Sequence, residues 1–172
     1  LFDLTNRVSI GMKKILLKIK PDLVLVHGDT TTTMATAIAA FYFQIPIGHV
    51  EAGLRTYNSL SPFPEEINRQ ITTRLAEFHF VPTSKAKANL LSEQIPENNI
   101  YVTGNTVIDA LLSVIDKARK ANYPDRLLNQ LPFLGEDTSL SSRIILVTGH
   151  RRENFGKGFE QICQALSEIA EN

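Results

Sequence analysis

The sequence has little cysteine, no excess of charge of either sign and no long hydrophobic run. Its single cysteine, Cys163, can form neither an internal disulfide nor a cysteine-rich zinc site. Its 18 basic residues balance 18 acidic ones, so no basic excess is available to hold nucleic acid or an anionic membrane surface. The longest nearly apolar stretch, Met34 to Phe43, is far shorter than the roughly 20 residues of a membrane-spanning helix. We therefore expect neither a nucleic-acid nor a membrane partner.

Several short motifs are also absent. The sequence contains no Walker phosphate loop, no G-x-G-x-x-G fingerprint, no H-E-x-x-H and no G-x-S-x-G. No ligand set with metal-binding spacing is present, so we expect no metal and no redox cofactor. Nothing resembles a signal peptide, which together with the cysteine content favours a cytoplasmic location.

What the sequence does have is a regular alternation of buried strands and amphipathic helices. Apolar runs typical of strands buried on both faces occur at 23–26, 45–50, 78–81, 100–102 and 144–147. Segments with helical spacing separate them; before the third strand, Ile67, Ile71 and Leu75 predict an apolar helix face. This order predicts an α/β fold, a Rossmann-like parallel sheet with helices on both faces.

The alternation is interrupted once, between residues 119 and 142. This segment is rich in Asn, Pro, Gly and Ser, a composition typical of a connection between domains. We predict most of one Rossmann-like domain at 1–120, an interdomain connection at 121–142 and the first β-α unit of a second domain at 143–172.

Ligands of open α/β sheets bind beyond the carboxyl ends of the strands, and two acidic residues occupy such positions here. Asp29 follows the first strand, directly after Gly28, and Glu51 follows the second. Each has a simpler interpretation: Asp29 could cap the next helix, and Glu51 could form an ion pair with Arg55. A carboxylate at a strand tip is nevertheless costly to desolvate without a partner or a function.

A third acidic position lies at a predicted helix start, in the stretch S-P-F-P-E-E from 61 to 66. The helix dipole alone favours two glutamates after a proline, so this pair has a structural explanation. Glu65 and Arg69 are, however, four residues apart and share a helix face, where both could meet a phosphorylated substrate.

The last predicted strand leads into a loop that contains His150, Arg151 and Arg152. Two arginines and a histidine ahead of a helix N-terminus make a candidate anion site. For His27, His79 and Cys163 we favour structural roles. Three carboxylates and a histidine on one side of a sheet suit proton removal and return, because acid and base roles need groups in different environments.

At these same residues the sequence resembles the non-hydrolysing bacterial UDP-N-acetylglucosamine 2-epimerases. The matching stretches run through nearly the whole chain in family order: VHGDTTTT at 26–33, HVEAGLRT at 49–56, SPFPEE at 61–66 with Asn68 and Arg69, TGNTVIDA at 103–110 and VTGHRRE at 147–153. The resemblance implies a GT-B-like architecture of two Rossmann-like domains with the nucleotide sugar between them. It also implies a homodimeric enzyme.

The implied reaction interconverts UDP-GlcNAc and UDP-ManNAc. UDP is eliminated as the C2 proton leaves, which gives a 2-acetamidoglucal, and UDP then adds back with a proton delivered to the opposite face of C2. Asp29, Glu51, Glu65 and His150 match the family's catalytic positions, and Arg69 matches a substrate-contacting one. Arg151 and Arg152 are further candidates for binding the diphosphate.

The family's chains are about twice this long, and two of their ligand-binding parts have no counterpart in this sequence. These are the first strand with its Gly-Thr-Arg-Pro-Glu loop and a Gly-Gly-rich loop that grips uridine. We therefore predict little or no activity for the isolated 172-residue chain, and turnover of UDP-GlcNAc by that chain would contradict this.

Three alternatives remain open from the sequence. A hydrolysing epimerase of the same family would release UDP and free ManNAc. A GT-B glycosyltransferase would need an acceptor site and would give no reason for three converging acids. A nucleotide-sugar-binding module would use the same acids only as caps and surface pairs.

Overall fold

The computed structural model of the chain describes residues 1–120, 147–148 and 156–170. Regular structure in these residues comprises α1 (Phe2–Ile19), β1 (Val24–His27), α2 (Thr31–Tyr42), β2 (Ile47–Val50), α3 (Glu65–Leu75), β3 (Phe78–Val81), α4 (Ser84–Ser92), a 3₁₀ turn (Glu97–Asn99), β4 (Ile100–Val102), α5 (Thr106–Lys120) and α6 (Lys157–Ala170). The first four predicted strands are confirmed to within two residues at each end. The predicted strand at 144–147 lies, except for Val147, outside the described residues.

The four strands form one parallel sheet in the order β1-β2-β3-β4. In this register Val26, His49, His79 and Ile100 follow one another across the sheet. Neighbouring residues of a parallel sheet point to the same face. These four side chains therefore belong to one face, and all four are buried.

The same face carries the core. One cluster of buried side chains joins Leu16 of α1 and several alanines of α2 to Val26 and Ile47. A second cluster joins Ala86 and Leu90 of α4 to Val81 and Ile100. Strands in consecutive order that are linked by right-handed crossovers place every connecting helix on one face. The helices between the described strands follow this rule. A layer of helices on the opposite face of the sheet requires a reversal of the strand order.

The opposite sheet face is more exposed in the part of the chain that the structure describes. Leu25 is 61% exposed and Tyr101 44% exposed, although Tyr101 stacks at an angle on Phe80, with ring centroids 5.7 Å apart. The apolar stripe of α5 is also exposed, with Val107 and Leu111 more than half accessible.

Helix α3 exists as predicted, but the apolar face expected from Ile67, Ile71 and Leu75 is not its buried face. Ile67 and Ile71 are exposed, whereas the buried residues of the helix are Glu66, Asn68, Arg69, Thr72 and Thr73. Hydrogen bonds among these polar side chains and to neighbouring loops replace apolar packing there. The predicted helix is confirmed, and Leu75 packs against the core, but Ile67 and Ile71 do not belong to its buried face.

The chain divides into two compact units, Leu1–Ile115 and Asp116–Asn172. The predicted domain bounds at 1–120, 121–142 and 143–172 stay a prediction, because residues 121–146 lie outside the described part. Among the described helices, none combines the length and the apolar character needed to cross a membrane.

Candidate functional site

The turn after β1 places Asp29 beyond the carboxyl end of the sheet. Gly28 adopts a φ of 74°, a left-handed conformation that suits glycine. His49 Nε2 lies 2.8 Å from the Gly28 carbonyl oxygen, and Asn68 Nδ2 donates to the Asp29 carbonyl oxygen at 2.9 Å. Thr30, not Asp29, caps α2, since its hydroxyl accepts from the Thr33 amide. The side chain of Asp29 is therefore not needed as a cap.

That side chain forms an ion pair with Arg69 of α3. Arg69 also donates through Nη1 to Glu66 Oε2 at 3.2 Å. Its side chain is only 10% exposed, and its Nε has no hydrogen-bond partner among the described residues. One buried guanidinium thus joins the turn after β1 to the start of α3.

Glu66 is the most buried carboxylate at this edge. Its oxygens accept from four donors: the backbone amides of Thr56 and Tyr57, Arg69 Nη1 and Gln70 Nε2, at 2.9–3.2 Å. Burial alone would raise the pKa of Glu66. The hydrogen bonds from Thr56, Gln70 and Tyr57 outweigh burial and hold that pKa below its ordinary value of 4.5. Glu66 is therefore a satisfied, ionised anchor.

Glu51 follows β2 in a left-handed conformation, with a φ of 66°, which is strained for a residue with a side chain. Its carboxylate packs over Gly28, where a Cβ would lie 3.5 Å from Glu51 Oε2. The same oxygen is 3.5 Å from His27 Nε2, and the Glu51 side chain is 33% exposed. Strained conformations of this kind concentrate at functional sites, which favours a role for Glu51 in binding or chemistry.

Glu51 does not pair with Arg55, which has other partners. Arg55 donates through Nε and Nη2 to both carboxylate oxygens of Glu93, at 2.7 and 2.9 Å, and through Nη2 to the Thr73 hydroxyl. Its side chain is fully buried. A two-point contact of this kind fixes geometry as well as charge. It ties the β2–α3 connection, residues 51–64, to α3 and to the end of α4.

Glu65 opens α3 and is partly buried. Its side chain makes no hydrogen bond or ion pair within the described residues, and therefore none with Arg69, the residue with which it shares a helix face. The spacing of four residues therefore yields no ion pair here, whereas the spacing of three yields the pair of Glu66 and Arg69.

Two buried histidines lie under this edge, paired across β2 and β3. The pKa of His49 is lowered to about 4, chiefly by burial and also by the charges of His79 and Arg55, against a hydrogen bond to Gly28 that raises it. Burial, followed by the charge of Arg55, likewise lowers the pKa of His79 to about 4. Both imidazoles are therefore neutral near pH 7. The expected structural role of His79 agrees with its burial.

Three predicted site residues, His150, Arg151 and Arg152, lie outside the described residues. Of the others, the structure brings Asp29 into contact with Arg69 and places Glu51 over the residue that precedes Asp29. Glu65 begins the helix that carries Arg69. The three carboxylates therefore have different surroundings: Asp29 is ion-paired with Arg69, Glu51 lies next to His27, and the Glu65 side chain is unpartnered within the described part.

A sequence profile of the UDP-N-acetylglucosamine 2-epimerases matches residues 1–172. The chain belongs to this family. It is 57% identical over 171 residues to the UDP-N-acetylglucosamine 2-epimerase of Salmonella typhimurium, covering 99% of this chain and 44% of that relative. It is 54% identical to the enzyme of that name from Escherichia coli K12, with the same coverage.

Solved 2-epimerase structures share the fold. The Neisseria meningitidis UDP-GlcNAc 2-epimerase bound to UDP-GlcNAc matches 97% of this chain with a TM-score of 0.90 and 48% identity. The Methanocaldococcus jannaschii enzyme, in complex with UDP-GlcNAc and UDP, matches 97% with a TM-score of 0.82 and 40% identity. The expected fold class, a Rossmann-like sheet of a GT-B-like architecture, is confirmed. The chain spans 44% of the length of each of these two structures.

Within this 2-epimerase chain, sequence reasoning missed two residues at the site. His27, expected to be structural, has an exposed side chain beside Glu51. Glu66 was passed over in favour of its neighbour Glu65. A spacing of three residues between Glu66 and Arg69 was the available signal, since it shares a helix face as a spacing of four does. No comparable signal pointed to His27.

Proposed function

We propose that this chain carries the carboxylates of an enzyme that interconverts UDP-GlcNAc and UDP-ManNAc by inversion at C2. In the proposed reaction a base takes the C2 proton, the C1–O bond to UDP breaks, and a 2-acetamidoglucal forms. UDP then adds back to C1 while an acid returns a proton to the opposite face of C2. Atoms and electrons balance without an oxidant, a reductant or a further reactant.

The observation that supports this proposal best is the ion pair between Asp29 and Arg69. It joins the turn after β1 to α3, the helix that begins with Glu65, while Glu51 lies over Gly28 at the same sheet edge. Proton transfer on two faces of one ring requires at least two fixed groups within hydrogen-bond reach of one carbon.

We assign the proton transfers to Asp29, Glu51 and Glu65. Their surroundings differ, and such differences separate acid from base roles among carboxylates. We assign the diphosphate to Arg69 together with His150, Arg151 and Arg152, because cations stabilise the negative charge that develops on a departing phosphate. Of these four cationic or basic groups, Arg69 is the one among the described residues.

The test uses a completed enzyme, in which residues 1–172 are joined to the parts of the Salmonella typhimurium relative that this chain does not match. UDP-GlcNAc is supplied in heavy water, and the products are followed by NMR. We expect UDP-ManNAc together with deuterium at C2 of the recovered UDP-GlcNAc. Free ManNAc with UDP would indicate the hydrolysing reaction instead, and sugar transfer without deuterium uptake would indicate a glycosyltransferase.

Variants of the completed enzyme test the individual roles. Asp29→Asn and Glu51→Gln are each expected to lower kcat by about 10²-fold or more, the usual effect of removing a general acid or base. Glu97→Gln is the matched control, because Glu97 is an exposed carboxylate paired with Lys87 away from this edge. Full activity of the Asp29 and Glu51 variants would refute the proposed function. So would a completed enzyme that folds but does not turn over UDP-GlcNAc.

Two wider properties belong to the same proposal. We infer that the enzyme acts as a homodimer, which sedimentation of the completed enzyme tests directly. A cytoplasmic location, expected from the cysteine content, also stays a prediction, and fractionation of cells that express the tagged native protein tests it.

A further inference from the structure

The β2–α3 connection and the turn after β1 meet at a single carboxylate that the proposed chemistry does not use. Glu66 is fully buried, and each of its two oxygens accepts two hydrogen bonds. Oε2 accepts from the Thr56 amide and from Arg69 Nη1, and Oε1 accepts from the Tyr57 amide and from Gln70. A buried carboxylate with every oxygen satisfied is a geometric anchor.

On one side this anchor fixes the β2–α3 connection. Tyr57 has a φ of 59°, an unfavourable conformation for a bulky residue, and its backbone amide is one of the two that donate to the Glu66 carboxylate. Such a conformation persists only where the surroundings enforce it. Glu66 supplies that constraint, and Glu65 directly precedes it in the first turn of α3.

On the other side the anchor holds Arg69. The Arg69 guanidinium contacts Glu66 through Nη1 and Asp29 through Nη2, so its two ends are fixed by two carboxylates. Without the contact to Glu66, the guanidinium could rotate about its long side chain away from Asp29. The two contacts together define both the position and the plane of the group.

We propose that Glu66 is a positioning residue, which holds Arg69 against Asp29 and fixes the β2–α3 connection next to Glu65. The effect of Glu66 on turnover rests on the proposed function. Glu66 touches neither the reacting carbon nor the diphosphate in this role and acts through Arg69. A Gln at this position replaces one acceptor oxygen with an amide group, so two of the four donors lose their acceptor and the negative charge opposite Arg69 disappears.

The first experiment is the structure of the isolated chain with Glu66→Gln. We expect the Arg69 guanidinium to leave Asp29 by about 1 Å or more, a displacement large enough to impair catalysis. An unchanged contact between Arg69 and Asp29 would overturn the proposal. This result does not depend on turnover, so it stands even if the completed enzyme proves inactive and the proposed function fails.

The second experiment measures kinetics in the completed enzyme. Glu66→Gln is expected to lower kcat by about 10- to 100-fold with KM changed less than about threefold, because it displaces Arg69 from its position against Asp29. In an Arg69→Lys background the same substitution should have less than about a threefold further effect, since residues that act through one another are non-additive.

Glu93→Gln is the matched control. It removes a carboxylate that anchors the same connection through Arg55, but it does not contact Arg69. It should lower stability and combine additively with Arg69→Lys. Additive behaviour of Glu66→Gln with Arg69→Lys would show that Glu66 only stabilises the fold, and would refute the positioning role.

Discussion

Acidification is expected to destabilise this chain through His49 and His79, the two buried histidines of the sheet. In the folded state the pKa of each is about 4, against an ordinary value of 6.5, chiefly because burial disfavours the charged imidazole. The unfolded chain therefore binds more protons than the folded chain between these values. The stabilisation is fully present above pH 6.5 and is lost progressively as the pH falls towards 4.

The size of this loss in the free energy of unfolding follows from the difference between the folded and unfolded pKa values. It corresponds to about 3 kcal/mol for each histidine, with a combined slope that approaches about 2.5 kcal/mol per pH unit near the middle of the range. A loss of about 6 kcal/mol is comparable with the whole stability of many domains, so the chain should unfold before the pH reaches about 4. Glu66 acts in a lower range, because its stabilising contribution is lost only below 4.5.

Urea unfolding of the 172-residue chain at several pH values between about 7.5 and 4.5 measures this slope. His79→Gln and His49→Gln should each remove about half of it, and the double variant should remove nearly all of it in this window. Glutamine keeps an amide donor where His49 Nε2 faces the Gly28 carbonyl. A slope that the double variant leaves unchanged would refute the assignment to these histidines.

Two further predictions concern the stability of the β2–α3 connection. Gly53→Ala should cost about 2–4 kcal/mol in urea unfolding, because the new Cβ would lie 2.4 Å from the Ala86 carbonyl oxygen at a φ of 82°. Gly104→Ala has a similar φ of 84° but meets no described atom within 4 Å, so it should cost only about 1 kcal/mol, and equal losses would contradict this reasoning. Glu93→Gln should cost about 3 kcal/mol because it leaves the buried Arg55 without its carboxylate, whereas Glu97→Gln at an exposed pair should leave the urea midpoint unchanged.

The strands and their order of appearance were predictable because each one is a short apolar run. A strand buried in a parallel sheet needs apolar side chains on both faces, and that requirement is visible in four consecutive residues such as 23–26. The buried face of α3 was not predictable in the same way. Its exposed Ile67 and Ile71 give a clear apolar period, yet the helix buries Glu66 and Thr72 instead.

The site was predictable in part. Asp29 and Glu51 follow strands, and the rule that ligands bind beyond the carboxyl ends of parallel strands identifies both positions. The partners of these residues were not predictable. Asp29 pairs with Arg69, 40 residues away, and Arg55 pairs with Glu93 instead of its near neighbour Glu51.

Sequence alone determined the parallel α/β class, the family and the strand-end positions of Asp29 and Glu51, because each of these depends on local pattern or on similarity along the chain. Tertiary structure decided which carboxylate Arg69 meets, which face α3 buries and why Glu66 is an anchor. Those outcomes depend on side chains from separate elements that share one low-dielectric space, where every buried charge must find a partner. The partner is set by position in the fold, and no spacing along the sequence encodes it.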